Sequence, residues 1–207
     1  MKQARIFSPF EIFWHWAQSA LIFGLLLSGL EMNGLYQLLG FEYAFNTHIV
    51  LAGLLIALWA FAIFWHVTTG EWRNYMPTGT GLLPMLAYYA YGIFSGESKP
   101  SAKTAASKHN PLQRLAYFAF KAAIAPALWL SGLLLLTYNL WRDTWINQWL
   151  PLSAPAAVHV AAALALLVFL IIHIYLASTT GTPWYAYLRS MVTGYSNERY
   201  EGEKNRS

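Results

Sequence analysis

Four stretches of this chain run for about 20 residues with almost no charge, the length needed to cross the hydrocarbon core of a bilayer. They lie near Phe10–Leu30, Thr47–Val67, Leu115–Tyr138 and Ala156–Ser178. A soluble helical bundle would need a polar face at helical spacing on each segment, and these segments lack one. Composition agrees, with 57% hydrophobic and 11% charged residues, against roughly 25% charged in ordinary soluble domains. The expected fold is therefore an all-α integral membrane protein, a bundle of four transmembrane helices forming a single domain over residues 1–207. A fifth apolar run, Gly81–Gly96, contains Pro84 and is too short to span. It is expected in the interface or packed on the bundle.

Charge placement sets the orientation. With four spans both termini lie on one side, and 12 of the 13 Lys and Arg residues share it; Arg142 alone falls opposite. That bias predicts that both termini are cytoplasmic, and it explains the basic excess without nucleic acid. The absence of cysteine excludes Cys-ligated iron–sulfur clusters, disulfides and thioether-linked haem within this chain. The basic start at Lys2 and Arg5 resembles a signal peptide. However, the run that follows is long, contains Glu11 and His15, and shows no small-residue cleavage site, so it reads as a mature helix.

Between the spans, outer loops are expected near Glu31–Asn46 and Asn139–Pro155. The second carries Trp141, Trp145 and Trp149, as suits rings at headgroup level. The inner loop, near Thr68–Arg114, is the longest and includes the polar stretch Ser95–Lys108. Pro126 falls within the third span and should kink it. The tail from Ser196 is charged, and no internal repeat is evident.

The histidines carry the chemistry. His15 lies early in the first span, near the cytoplasmic face, and His48 opens the second, near the outer face. In the fourth span His159 lies outside and His173 inside, 14 residues apart. That spacing is four turns less ~40°, with a rise of ~21 Å, so both project from one helix face toward opposite sides of the bilayer. His48 matches the depth of His159, and His15 that of His173. Each pair can supply the two axial imidazoles of a b-type haem standing between helices. A lone intramembrane histidine would be read as a hydrogen-bonding residue between helices; four, paired by depth, point to two haems. One zinc-type site does not suit pairs separated by ~20 Å of helix rise. His66 shares the face of His48 at the cytoplasmic end and is an alternative to His15, or an interfacial residue beside Trp65 and Trp72. His109 precedes the third span, where a quinone-side role and a solvated loop position are both open.

At these residues the chain resembles the cytochrome b subunits of membrane formate dehydrogenases (the gamma subunits), and more loosely those of nickel–iron hydrogenases and thiosulfate reductases. The resemblance covers nearly the whole chain. It rests on Ser8-Pro-Phe-Glu-Ile-Phe-Trp-His15-Trp, on His48, on Lys108-His-Asn-Pro-Leu-Gln-Arg114, and on His159 with Ile172-His173-Ile-Tyr175. It implies His48 and His159 on an outer haem b and His15 and His173 on an inner one. It also implies a quinone site (menaquinone or ubiquinone) beside the inner haem in which Asn110 takes part. Pro111-Leu112 stands where the formate dehydrogenase subunits have small residues. Asn110 before Pro111 also suits a helix N-cap, a role compatible with the first.

The resulting expectation is an electron relay between a redox partner on the outer side and the quinone pool. The partners would be catalytic and iron–sulfur or other redox subunits of a membrane oxidoreductase, together with quinone and membrane lipid. His109, Asn110, Gln113 and Arg114 would line the cytoplasmic quinone end with His15 and His173. The 47-residue inner loop and the charged tail offer surface for another subunit. The alternatives are a stand-alone quinone-linked cytochrome acting on superoxide or ferric iron, and a membrane anchor without redox function. A transporter is disfavoured, because no acidic residue lies deep within a span.

Overall fold

The first long helix starts where Ser8-Pro9-Phe10-Glu11 closes a capping box. Glu11 N–H donates to Ser8 Oγ (3.2 Å), and Ser8 N–H donates to Glu11 Oε2 (2.8 Å). Pro9 fits at the first helical position, where no amide hydrogen is needed. In this computed structural model, residues 4–70, 72, 82–92, 94–97, 111–179 and 184–196 are described. Among them four helices are long and apolar enough to span a membrane, as expected: Pro9–Met32, Phe41–Thr69, Leu115–Leu136 and Ser153–Tyr175. The chain divides into two compact units, Met1–Arg73 with Ala177–Arg199, and Asn74–Leu176 with Tyr200–Ser207.

The first unit is built on a helical hairpin of α1 (Pro9–Met32) and α2 (Phe41–Thr69). Its register is antiparallel. Ser28 meets His48, Gly24 meets Leu51, Gln18 accepts from Trp59 Nε1 (3.0 Å), and Phe10 packs on Phe61 and Trp65. A Cβ at Gly24 would lie 2.7 Å from Leu51 Cδ1, so the missing side chain lets the helices approach closely there. The outer connection is shorter than expected, because α2 begins at Phe41, within the anticipated loop. Its start is organised by Glu31, whose Oε1 accepts the amide hydrogens of Leu38 (2.8 Å), Leu39 (2.5 Å) and Gly40 (2.7 Å). One carboxylate thereby satisfies three amides and sets negative charge at the start of α2.

In the same unit, β1 (Ala4–Arg5) pairs antiparallel with β2 (Tyr195–Ser196), after the short helix α9 (Ala186–Thr193). The Gly194 carbonyl accepts from Ile6 (2.8 Å) and Phe7 (3.2 Å). Gly194 has φ +81°, and a Cβ there would lie 2.8 Å from the Phe7 carbonyl oxygen, so the position requires glycine. Trp16 Nε1 donates to the Met191 carbonyl (3.0 Å), fixing α9 against α1.

The second unit holds α3 (Leu82–Ala87) followed by a π-helical turn, Tyr88–Gly92, where the short apolar run was expected. The third span is a composite of α4 (Pro111–Ala119), a π turn (Phe120–Ile124) and α5 (Ala125–Leu136). Pro126 was expected to kink this helix. The backbone takes up the proline with the π turn just before it, in which Ala125 N–H donates to the Phe120 carbonyl. Lys121 lies within that turn, inside the span. Two short helices, α6 (Tyr138–Trp141) and α7 (Ile146–Trp149), lead into α8 (Ser153–Thr179). Trp145 and Trp149 are exposed, as expected for headgroup-level rings. Trp141 is instead buried, donating Nε1–H to the Leu134 carbonyl (3.1 Å). The third span and α8 are antiparallel, with Tyr117 near His173, Phe120 stacked on Phe169, and Ser131 against His159.

Removing the Glu31 carboxylate strands three amides at the start of α2. Glu31→Ala is expected to lower the thermal unfolding midpoint in detergent more than Glu31→Gln, which keeps one acceptor oxygen. Midpoints equal to that of the parent protein would mean the clamp adds no stability.

Candidate functional site

Each unit presents its histidines from helices whose neighbours fix the ring. In the first unit His48 is the eighth residue of α2 and is half-buried against α1. Its Nδ1 lies 2.9 Å from Ser28 Oγ. Gly29 lies beside the ring, and a Cβ there would be in van der Waals contact, 3.4 Å from His48 Cε1. In the second unit His159 is the seventh residue of α8 and is held the same way. Its Nδ1 lies 3.0 Å from Ser131 Oγ and 3.1 Å from the Leu128 carbonyl oxygen, and a Cβ at Gly132 would lie 3.2 Å from its Cε1.

At the other end of the first unit, half-buried His15 meets Trp16 edge-on at 5.2 Å between ring centroids. The alternative candidate, His66, is buried (7% exposed). Its Nδ1 lies 2.6 Å from the Ala62 carbonyl of its own helix, and its ring packs edge-on against Trp14 and Trp65. In the second unit His173 stands in an aromatic group. Phe169 stacks on it at 6.0 Å and 12°, Tyr117 meets it at 6.1 Å, and Phe120 stacks on Phe169 at 5.1 Å. His159 and His173 share one unbroken helix, α8. Their spacing of 14 residues gives ~21 Å of rise on one face.

Of the other candidates, His109 and Asn110 lie outside the described residues. Gln113 and Arg114 fall on the first turn of α4, which opens at Pro111 as the Asn-Pro pair suggested. Sequence reasoning overlooked Ser28, Gly29, Ser131 and Gly132. The signal was present, because Leu-Ser-Gly-Leu occurs at 27–30 and again at 130–133.

Residues 6–194 match the prokaryotic cytochrome b561 family. The chain belongs to that family. It is also 32% identical over 191 residues to YdhU of Escherichia coli (strain K12), a protein named as a cytochrome; the match covers 88% of this chain and 70% of that one. The superfamily resemblance carried by the histidine-bearing segments is thus correct. The chain is a multi-pass membrane cytochrome of the b561 type that binds haem b and transfers electrons. The side chains present fit such a group. The candidate donors are neutral-capable imidazoles on apolar helices, Gly132 leaves space beside the His159 ring, and the chain has no cysteine to form a thioether link.

The glycine contacts give a direct check. Ala is a better helix former than Gly, so Gly132→Ala has no reason to weaken the helix itself. The new methyl must displace the His159 ring, and the expected result is a lower ratio of haem Soret absorbance to protein. Gly53→Ala, at a site with open space around it, should leave that ratio unchanged.

Proposed function

We propose that this chain is the di-haem cytochrome b subunit of a membrane oxidoreductase, carrying electrons between an outer-side redox partner of the formate dehydrogenase type and the quinone pool. In this reading residues 1–207 act as one membrane-embedded domain with both termini in the cytoplasm. The observation that carries it is α8, a single span with one histidine near each end on the same face. His48 and His159 hold the outer haem b, and His15 and His173 the inner one. The assignment rests on matched depths along four alternating spans. Bound haem b supplies a one-electron Fe(III)/Fe(II) couple at each level.

The chain's own residues then divide the work. The imidazoles fix each centre at its depth, and the apolar spans keep water away from both. His109, Asn110 and Arg114 hold quinone at the cytoplasmic end and give access to protons there. If electrons enter from outside and protons from the cytoplasm, charge separation conserves about 2.3 kcal/mol per 100 mV for each charge moved. The catalytic partner, with its iron–sulfur or other redox centres, docks at the outer side.

Single replacements test the assignment. His48→Ala and His159→Ala should each remove the same half of the haem b signal, and His15→Ala and His173→Ala the other half. Full haem content in His15→Ala together with loss in His66→Ala would transfer the inner ligand to His66. Asn110→Ala should slow quinone turnover while leaving haem spectra intact, and unchanged quinone kinetics would remove Asn110 from the site. Co-purification of a catalytic subunit separates the relay from a stand-alone cytochrome acting on a small oxidant.

A further inference from the structure

We propose that Ser28 and Ser131 are a matched pair of positioning residues. Each accepts the Nδ1 hydrogen of one imidazole, His48 or His159, and so holds the ring with its lone pair on Nε2, ready to bind iron. The inference rests on the reading of these two histidines as haem ligands.

A serine hydroxyl has a single hydrogen to donate, and a backbone carbonyl can only accept. Ser28 Oγ lies 2.8 Å from the Gly24 carbonyl oxygen and 3.2 Å from that of Leu25. Ser131 Oγ bonds to the Ala127 carbonyl and lies 3.3 Å from that of Leu128. Each hydroxyl hydrogen is thus committed to its own helix, the back-bonding arrangement of a mid-helix serine. The further contact to histidine Nδ1, at 2.9 Å in one case and 3.0 Å in the other, is then a bond in which the ring donates. His159 gives the same answer independently, because its Nδ1 also lies 3.1 Å from the Leu128 carbonyl, which cannot donate. With the hydrogen on Nδ1, the neutral ring carries its lone pair on Nε2.

The device occurs twice, in separate units, on different helices and with the same four residues. Leu27-Ser28-Gly29-Leu30 faces His48, and Leu130-Ser131-Gly132-Leu133 faces His159. In each case serine meets the nitrogen and the next residue is a glycine beside the ring, with the tighter fit at Gly132, where a Cβ would lie 3.2 Å from His159 Cε1. Ser28 and Ser131 are 4% and 3% exposed, so neither hydroxyl exchanges its partners with bulk solvent. Ser19, also on α1, sends its hydroxyl to the His15 carbonyl rather than to a ring. Back-bonding serines in general therefore do not explain the pattern. A hydrogen bond donated from Nδ1 raises the basicity of the coordinating nitrogen. That favours ferric over ferrous iron and lowers the midpoint potential.

The test is an optical redox titration of purified holoprotein carrying Ser28→Ala, Ser131→Ala or the corresponding threonine replacements. Ser28→Ala should move one haem b midpoint upward by about 59 mV, a tenfold change in the one-electron equilibrium. Ser131→Ala should move the same midpoint upward by less, because the Leu128 carbonyl still accepts from His159 Nδ1. The threonine variants, which keep the hydroxyl, should stay near the parent value. Alanine variants that retain haem with both midpoints unmoved would overturn the proposal, since a purely packing role leaves potentials alone. Should the alanine variants lose haem, retention in the threonine variants supports it and loss there overturns it. Parent protein without haem b would instead overturn the ligand reading beneath it.

Discussion

In a hydrocarbon layer every polar group must find its partner inside the protein, and that constraint organises what is polar in this chain. The buried polar residues at the ends of α1 each close a backbone problem. Glu11 closes the start of α1, and Glu31 closes the start of α2. Two in mid-helix, Ser28 and Ser131, turn their hydroxyls back to their own backbone, and each also lies within hydrogen-bond distance of a histidine Nδ1 on a neighbouring long helix. Such a bond serves two ends. It satisfies a polar ring in an apolar setting, and under the tautomer proposed above it leaves the lone pair on the other ring nitrogen.

The histidines accordingly stand in different surroundings. His48 and His159 each meet a serine hydroxyl and a glycine, whereas His173 stands among Phe169, Tyr117 and Phe120, and His15 lies beside Trp16. Hydrogen bonds to a ligand ring and the polarity around it are levers a protein holds over a haem potential. Imidazoles of one residue type thus stand in unlike environments within one polypeptide.

Much of this was legible in the sequence, and the omissions have physical causes. Apolar runs announced all four spans, because length and lack of charge are sufficient in a membrane. The start of α2 was misplaced because the turn leading into it is held by Glu31, a carboxylate seven to nine residues before the amides it binds, and the Gly40 N-cap has no side chain to signal it. Pro126 was correctly read as a disturbance, but the backbone answered with a π turn at Phe120–Ile124, a choice no local residue encodes. Trp141 shares its composition signal with Trp145 and Trp149, and only the Leu134 carbonyl within reach separates it from them. The histidines themselves stood out by spacing. Their serine partners did not, since a mid-helix serine is ordinary until its neighbour across the interface is known.

The central claim is that one chain holds two b-type haems at two depths. The most direct measurement is a reduced-minus-oxidised spectrum of protein from haem-replete cells, with pyridine haemochrome quantification against protein. The account predicts two haem b per chain. A single haem would contradict the paired-histidine reading, and none would contradict redox function altogether.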